Sequence, residues 1–231
     1  MNTHDNPRDA VRATLAAPPL WPGNDERFAG YGVMGLPFSS GDYLALRHFG
    51  ASTVGPPYRA IWHRNPDAVW TFYSTTTPEQ SCARYFARDQ VDATVQTDIE
   101  VQWDDPYTLA VTAPGHLTWQ IELTRAPSTA VLSTIGRRLP VAAWRSAAFL
   151  HAMAVTARPM LRSGRIGLTG TVPNGQHFVA APRTIWPIAH STAVLHGVDF
   201  GEPRPLPRQA RLGDFWLPQR GLFAVGNAAF A

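Results

Sequence analysis

The chain has 231 residues, 45% of them hydrophobic and 11% aromatic, but only 16% charged. That suits one domain with a sizeable core, or two very small ones. All twenty basic residues are arginine, which excludes chemistry that needs lysine, whether a Schiff base, a pyridoxal aldimine or a phosphate-loop lysine.

The +3 formal charge is unevenly spread: residues 1–122 carry fourteen acids and eight arginines, whereas residues 123–198 carry eight arginines and no acid. Arginine in place of lysine fits a GC-rich coding sequence or a role in anion recognition. The low charge content implies a chain that hides more of itself than most, or exposes apolar surface to a ligand or partner. The single cysteine, Cys82, permits no internal disulfide and fits a reducing compartment. With no signal-like leader and no run of about 18 apolar residues, the expectation is a cytoplasmic chain without a transmembrane segment.

Residues 1–27 are polar and proline-bearing and read as an N-terminal arm. Within it, Asp9 to Ala17 suits a short helix ended by Pro18-Pro19. The single β-rich domain is expected over residues 28–231. Tyr43 to Phe49, Tyr58 to Arg64 and Val69 to Tyr73 read as strands, the last two joined by turn chemistry at Asn65-Pro66-Asp67-Ala68. Large side chains on both faces of these strands imply burial on both sides. Pro78 to Arg88 suits a short helix, with Thr77 as its N-cap.

Val95 to Thr124 carries the clearest periodicity. Apolar and polar residues alternate through three segments, separated by Asp104-Asp105-Pro106 and Pro114-Gly115. That is an antiparallel meander with one polar face. The one strong helix is predicted over residues 140–157. It is alanine-rich and apolar around most of its circumference, and so expected to be buried against a sheet. Strands resume at Gly164, with a hairpin turn at Pro173-Asn174-Gly175. Trp186, Ile188, His190, Thr192, Val194 and His196 are expected to line one strand face, and Leu212 to Phe230 supplies a closing segment.

Several constellations carry candidate chemistry. Gly30-Tyr31-Gly32-Val33-Met34-Gly35 matches G-x-G-x-x-G, but Pro37 follows where a phosphate-binding helix would begin, so tight bends at a strand start are the preferred reading. Asp98 and Glu100 lie two apart on a strand, about 6.5–7 Å from each other, and Glu122 shares their face. They are either acid–base candidates or part of a solvated face, according to whether that face looks into a barrel or out to water. His63, Arg64 and Asp67 flank a turn beside Trp62, as ligand contacts or as a turn network. His190 and His196 stand about 20 Å apart, too far for one metal, and no compact ligand set suggests a metal or cofactor. Cys82 reads as a buried thiol. The acid-free arginine stretch either pairs with the acidic first half or binds an anion. No nucleic-acid module is visible.

The strand-rich layout and the Trp-rich second half, ending in HGVDFG at residues 196–201 and QARLGDFWLPQRGLFAVG at residues 209–226, resemble a group of uncharacterised actinobacterial proteins. More distantly they resemble the lipocalin-like hydratases and cyclases that include carotenoid 1,2-hydratase. The resemblance implies a barrel with an apolar cavity in which an acid protonates an alkene between aromatic walls.

The reading is therefore a mostly β protein, an antiparallel barrel or sandwich of lipocalin-like type, with one buried helix between two strand groups. It would enclose a hydrophobic small molecule such as a terpenoid, polyketide or acyl chain. Asp98, Glu100, Glu122, His63 and His190 are the candidate acids and bases, Trp62, Trp119 and Trp186 the walls, and Arg64 an anion contact. The alternatives are a non-catalytic carrier or sensor with the same cavity, and a protein–protein interaction module.

Overall fold

The computed structural model describes residues 6–86 and 91–231; the end of the helix expected to reach Arg88 lies outside them. Strand makes up 43% and helix 22%, a mostly β fold.

Helix α1 (Pro7–Ala16) starts earlier than Asp9 because the Asn6 side chain accepts from the Asp9 N–H and Pro7 presets the first helical φ. The segment read as an arm contributes buried side chains: Ala10 and Val11 enter the central core, and Trp21 a second cluster.

Strands β1 (Glu26–Pro37), β2 (Tyr43–Ser52), β3 (Tyr58–Arg64) and β4 (Trp70–Ser74) pair antiparallel in sequence order. The turn between β3 and β4 forms as its residues dictate: the Asn65 side chain accepts from the Val69 N–H and Ala68 takes a positive φ of 71°. The helix expected from Pro78 is two pieces, a 3-10 turn (Pro78–Gln80) and α2 (Ala83–Phe86), because Ser81 between them is extended. This crossover brings β5 (Val91–Gln96) alongside β4 in parallel, so the sheet is mixed rather than antiparallel throughout.

Strands β6 (Glu100–Trp103), β7 (Thr108–Ala113) and β8 (Leu117–Leu123) form an antiparallel meander, but its expected first segment, Val95 to Trp103, is split: β5 ends at Gln96, residues 97–99 belong to no strand, and β6 begins at Glu100. Three helices follow: α3 (Pro127–Arg138), α4 (Val141–Trp144) and α5 (Ala147–Leu161). The single buried helix predicted over 140–157 is thus replaced by α4 and α5, broken at Arg145-Ser146, where Ser146 caps α5 by accepting from the Phe149 N–H. Nor is α5 buried all round. Leu150, Ala154, Ala157 and Leu161 form one buried stripe, while Val155 is 56% exposed. Alanine accounts for the difference, because it satisfies an apolar pattern yet costs little when exposed.

The chain then forms β9 (Thr169–Thr171), the long β10 (His177–Leu195), β11 (Val198–Asp199), the small β12 (Arg211–Leu212) and β13 (Phe215–Trp216) hairpin, and β14 (Leu222–Phe230). The order across the main sheet is β5-β4-β3-β2-β1-β14-β10-β8-β7-β6. Strands β5 and β6 occupy opposite edges, yet only residues 97–99 join them. Such a link spans at most ~14 Å, so the sheet must curl until its edges nearly meet.

The interior of this barrel-like sheet is filled by side chains. Tyr31 and Val33 of β1, Leu44 and Leu46 of β2, Ile61 of β3, Val111 of β7, Trp119 and Ile121 of β8 and Phe223 of β14 pack there. The convex face carries another cluster, distinct from that of Trp21 and including Tyr43, Trp62, Phe72, Phe86 and Phe215.

Candidate functional site

The residues singled out from sequence do not come together. Asp98 lies in the link between β5 and β6, not on a strand with Glu100; Asp98, Glu100 and Glu122 are all exposed, and the polar face of the meander looks out to water while its apolar face lines the filled interior. His190 does not share the face of Trp186 and Ile188. The register of β10 against β8 shifts between Ile188 and His190, and this bulge sends His190, Thr192 and Val194 outward and Ser191, Ala193 and Leu195 inward. His190 and Glu122 are Cα partners on that outer face.

Trp119 and Trp186 belong to the filled interior, where the Trp119 indole N–H donates to Ser191 Oγ at 2.8 Å. His63 pairs with Asp42 at 2.7 Å and stacks on Phe200. Burial lowers its pKa and the Asp42 carboxylate opposes that. Burial also lowers the pKa of the neighbouring Arg64. The G-x-G-x-x-G residues lie inside β1 with no helix after them. Among the described residues no group of three or more His, Cys, Asp or Glu is arranged to hold a metal ion.

Two adjoining cavities lie on the convex side. A cleft of about 320 Å³ opens between α3, α5 and the sheet, walled by Leu132 and Ile135 of α3, Phe149 and Met153 of α5, and Met34 and Phe215 below. No charged side chain lines it. Its origin is visible in α3, which turns its small and polar residues Thr129, Ser133 and Gly136 to the sheet. There Ser133 Oγ accepts from the Ile185 N–H at 2.9 Å, and a Cβ on Gly136 would come within 2.6 Å of the Arg183 carbonyl oxygen. Close approach therefore requires glycine at that position. The apolar face of α3 is left over: Ile135 lines the cleft while still 48% exposed.

A smaller cavity of about 70 Å³ adjoins the cleft, and Met34, Pro182, Phe215 and Ala224 line both. It is walled by Trp62, Phe86, Cys82, Gly30, Gly32 and Arg47. Of the three tryptophans expected as walls, Trp62 is the one found here, stacked on Phe72 with ring centroids 4.7 Å apart.

Arg47 was not singled out from sequence. It projects from β2 into the convex cluster with 6% exposure. Its guanidinium donates to the carbonyls of Val33 at 2.6 Å and Leu46 at 2.9 Å and lies 4.4 Å from the Trp62 ring. Burial lowers its pKa, an effect opposed by nearby Cys82, Tyr43 and Tyr58. The signal was present: strands with large residues on both faces leave a mid-strand arginine no route to water.

Sheet and cleft together define a barrel-like β protein with an apolar, ligand-sized recess outside its filled interior. No family model matches the chain, and no curated protein matches it. Among solved structures it is similar to an acetoacetate decarboxylase from Legionella pneumophila, at 8% identity and a TM-score of 0.38, over 99% of this chain and 94% of that one.

Proposed function

We propose that this protein binds a hydrophobic small molecule, of terpenoid, polyketide or acyl type, in the cleft between α3 and α5. The observation that carries the reading is the cleft itself: about 320 Å³ without a charged side chain in its wall. Small-molecule sites are commonly mostly apolar recesses of about 300–1,000 Å³. An inverted α3, apolar side outward, supports the same reading, because a ligand would cover what the sheet does not.

Binding without turnover is favoured over acid–base catalysis. A hydratase or cyclase of the lipocalin-like kind needs a proton donor against the ligand, and neither carboxylate nor histidine lines the cleft. Nucleic acid and metal have no part in this reading. A reducing, cytoplasmic setting goes with it, on the strength of one buried thiol. Among the described residues no helix is long and apolar enough to cross a membrane.

Native mass spectrometry of protein from its own host, followed by titration with a fluorescent long-chain alcohol, tests the proposal. We expect a discrete apolar adduct and saturable binding. Thr156→Trp, at an exposed position in the cleft wall, should abolish binding with no loss of stability. Failure of the unaltered protein to bind would remove the reading.

A further inference from the structure

We propose that the ligand is an apolar carboxylic acid whose carboxylate sits against Arg47 and whose chain occupies the α3–α5 cleft. The inference rests on the cleft reading and adds the polar end of the molecule.

Arg47 is the starting point. None of the four ion pairs among the described residues includes it. The groups that touch it are the backbone carbonyls of Val33, Leu46 and, at 3.4 Å, Met34, together with the Trp62 ring. Carbonyl dipoles and a π face solvate a cation but do not neutralise it. The acidic protons nearby are held: Tyr58 and Cys82 share a hydrogen bond of 2.9 Å, and burial pushes the Cys82 thiol up to about 11. A buried full charge with no counter-charge is costly, and the cost falls when an anion arrives.

Part of the arrangement is structural. The register of β1 against β2 breaks between Tyr31 and Leu36, and the guanidinium bonds the carbonyls at that break. Three carbonyl bonds use the guanidinium's N–H donors but leave its positive charge without a partner, and that charge is what remains to be explained.

The space around the guanidinium supplies the explanation. A cavity of about 70 Å³ touches Arg47, and Gly30, Gly32 and Gly226 are among the residues that line it. A Cβ on Gly32 would come within 2.0 Å of the Leu46 carbonyl oxygen, the same oxygen that accepts from Arg47. Met34 and Phe215 line both the cavity and the cleft and stand between them; a chain that reaches from one to the other displaces the flexible Met34 side chain. A carboxylate is small, planar and matched to the guanidinium fork. An alkyl or prenyl chain behind it would extend past Phe215 into the apolar cleft.

The test compares dodecanoic acid with dodecanol by calorimetry on the whole protein at neutral pH. The acid should bind at least about tenfold more tightly than the alcohol. Arg47→Gln, which removes the charge and retains an amide donor, should bring the acid down to the alcohol's affinity and leave the alcohol unchanged. Arg47→Lys should retain part of the preference. Equal affinities of acid and alcohol for the unaltered protein would overturn the role of Arg47 while leaving the cleft intact. Binding of neither probe would overturn both readings. The comparison on unaltered protein decides the matter even if Arg47→Gln does not fold.

Discussion

The Tyr58 hydroxyl sits 2.9 Å from the sulfur of Cys82 and also accepts, at 2.9 Å, from the Cys82 backbone N–H. One phenol thus holds both ends of the same residue, fixing the start of α2 against β3. Tyr58→Phe removes both bonds and leaves a buried amide unsatisfied. We expect a loss of about 1–3 kcal/mol, read from the midpoint of urea unfolding.

The thiol itself reports on pH. Its pKa rises from 9.0 to about 11 on burial. Between those values the unfolded chain gives up a proton that the folded chain keeps, so stability from this group is complete below pH 9 and falls toward pH 11, by up to about 1.4 kcal/mol per pH unit. Cys82→Ala should flatten that limb of the stability–pH curve, and the native protein should resist a thiol reagent until denaturant is added.

His48 contributes to the acid limb. Burial, reinforced by Arg59, lowers its pKa to about 4, and its Nδ1 lies 2.7 Å from the Tyr31 hydroxyl. The unfolded imidazole takes up a proton near its ordinary 6.5 while the folded one stays neutral. Stability is therefore full above about pH 6.5 and declines as pH falls toward 4. Urea midpoints at pH 7, 5.5 and 4.5 should show the decline, and His48→Gln should reduce it.

Leu150 and Val155 separate the two faces of α5. Leu150→Ala should cost about 2–5 kcal/mol, since Leu150 has no exposure. Val155→Ser should stay within about 0.5 kcal/mol of the parent. Equal losses at the two positions would mean a helix buried all round.

We propose that residues 28–231 fold as one unit with the N-terminal segment docked on it. Tryptophan fluorescence and far-ultraviolet circular dichroism should then give coincident unfolding curves. Val11→Asp, at a site in the central core, should lower the midpoint of both together.

Much of the strand layout was legible because alternation and turn chemistry are local. The β3 boundaries, the Asn65 turn and the β6–β8 meander follow from residues within a few positions of one another. What was not legible depends on distant partners. The bulge near Ile188 reverses the side chains from His190 onward; Pro187 signals an edge or bulge there, but it does not say that the following side chains change face. Helix α3 was missed because Thr129, Ser133 and Gly136, not its apolar residues, face the sheet. The cleft was therefore invisible as well, since α3 forms one of its walls. Carboxylates two residues apart carry acid–base chemistry only on a face that looks inward, and which way a sheet face looks is settled by the curl of the whole sheet.

Strand β14 lies between β1 and β10, although it follows every other strand in the chain. Until it is in place, β1 to β5 form one sheet fragment and the meander with β10 another, each ending in an unpaired edge. Such edges recruit other strands, including those of neighbouring molecules. During synthesis this protein therefore passes through a stage in which both fragments are exposed to mispairing, and the interval before β14 zips them together is the one in which a chaperone would matter most.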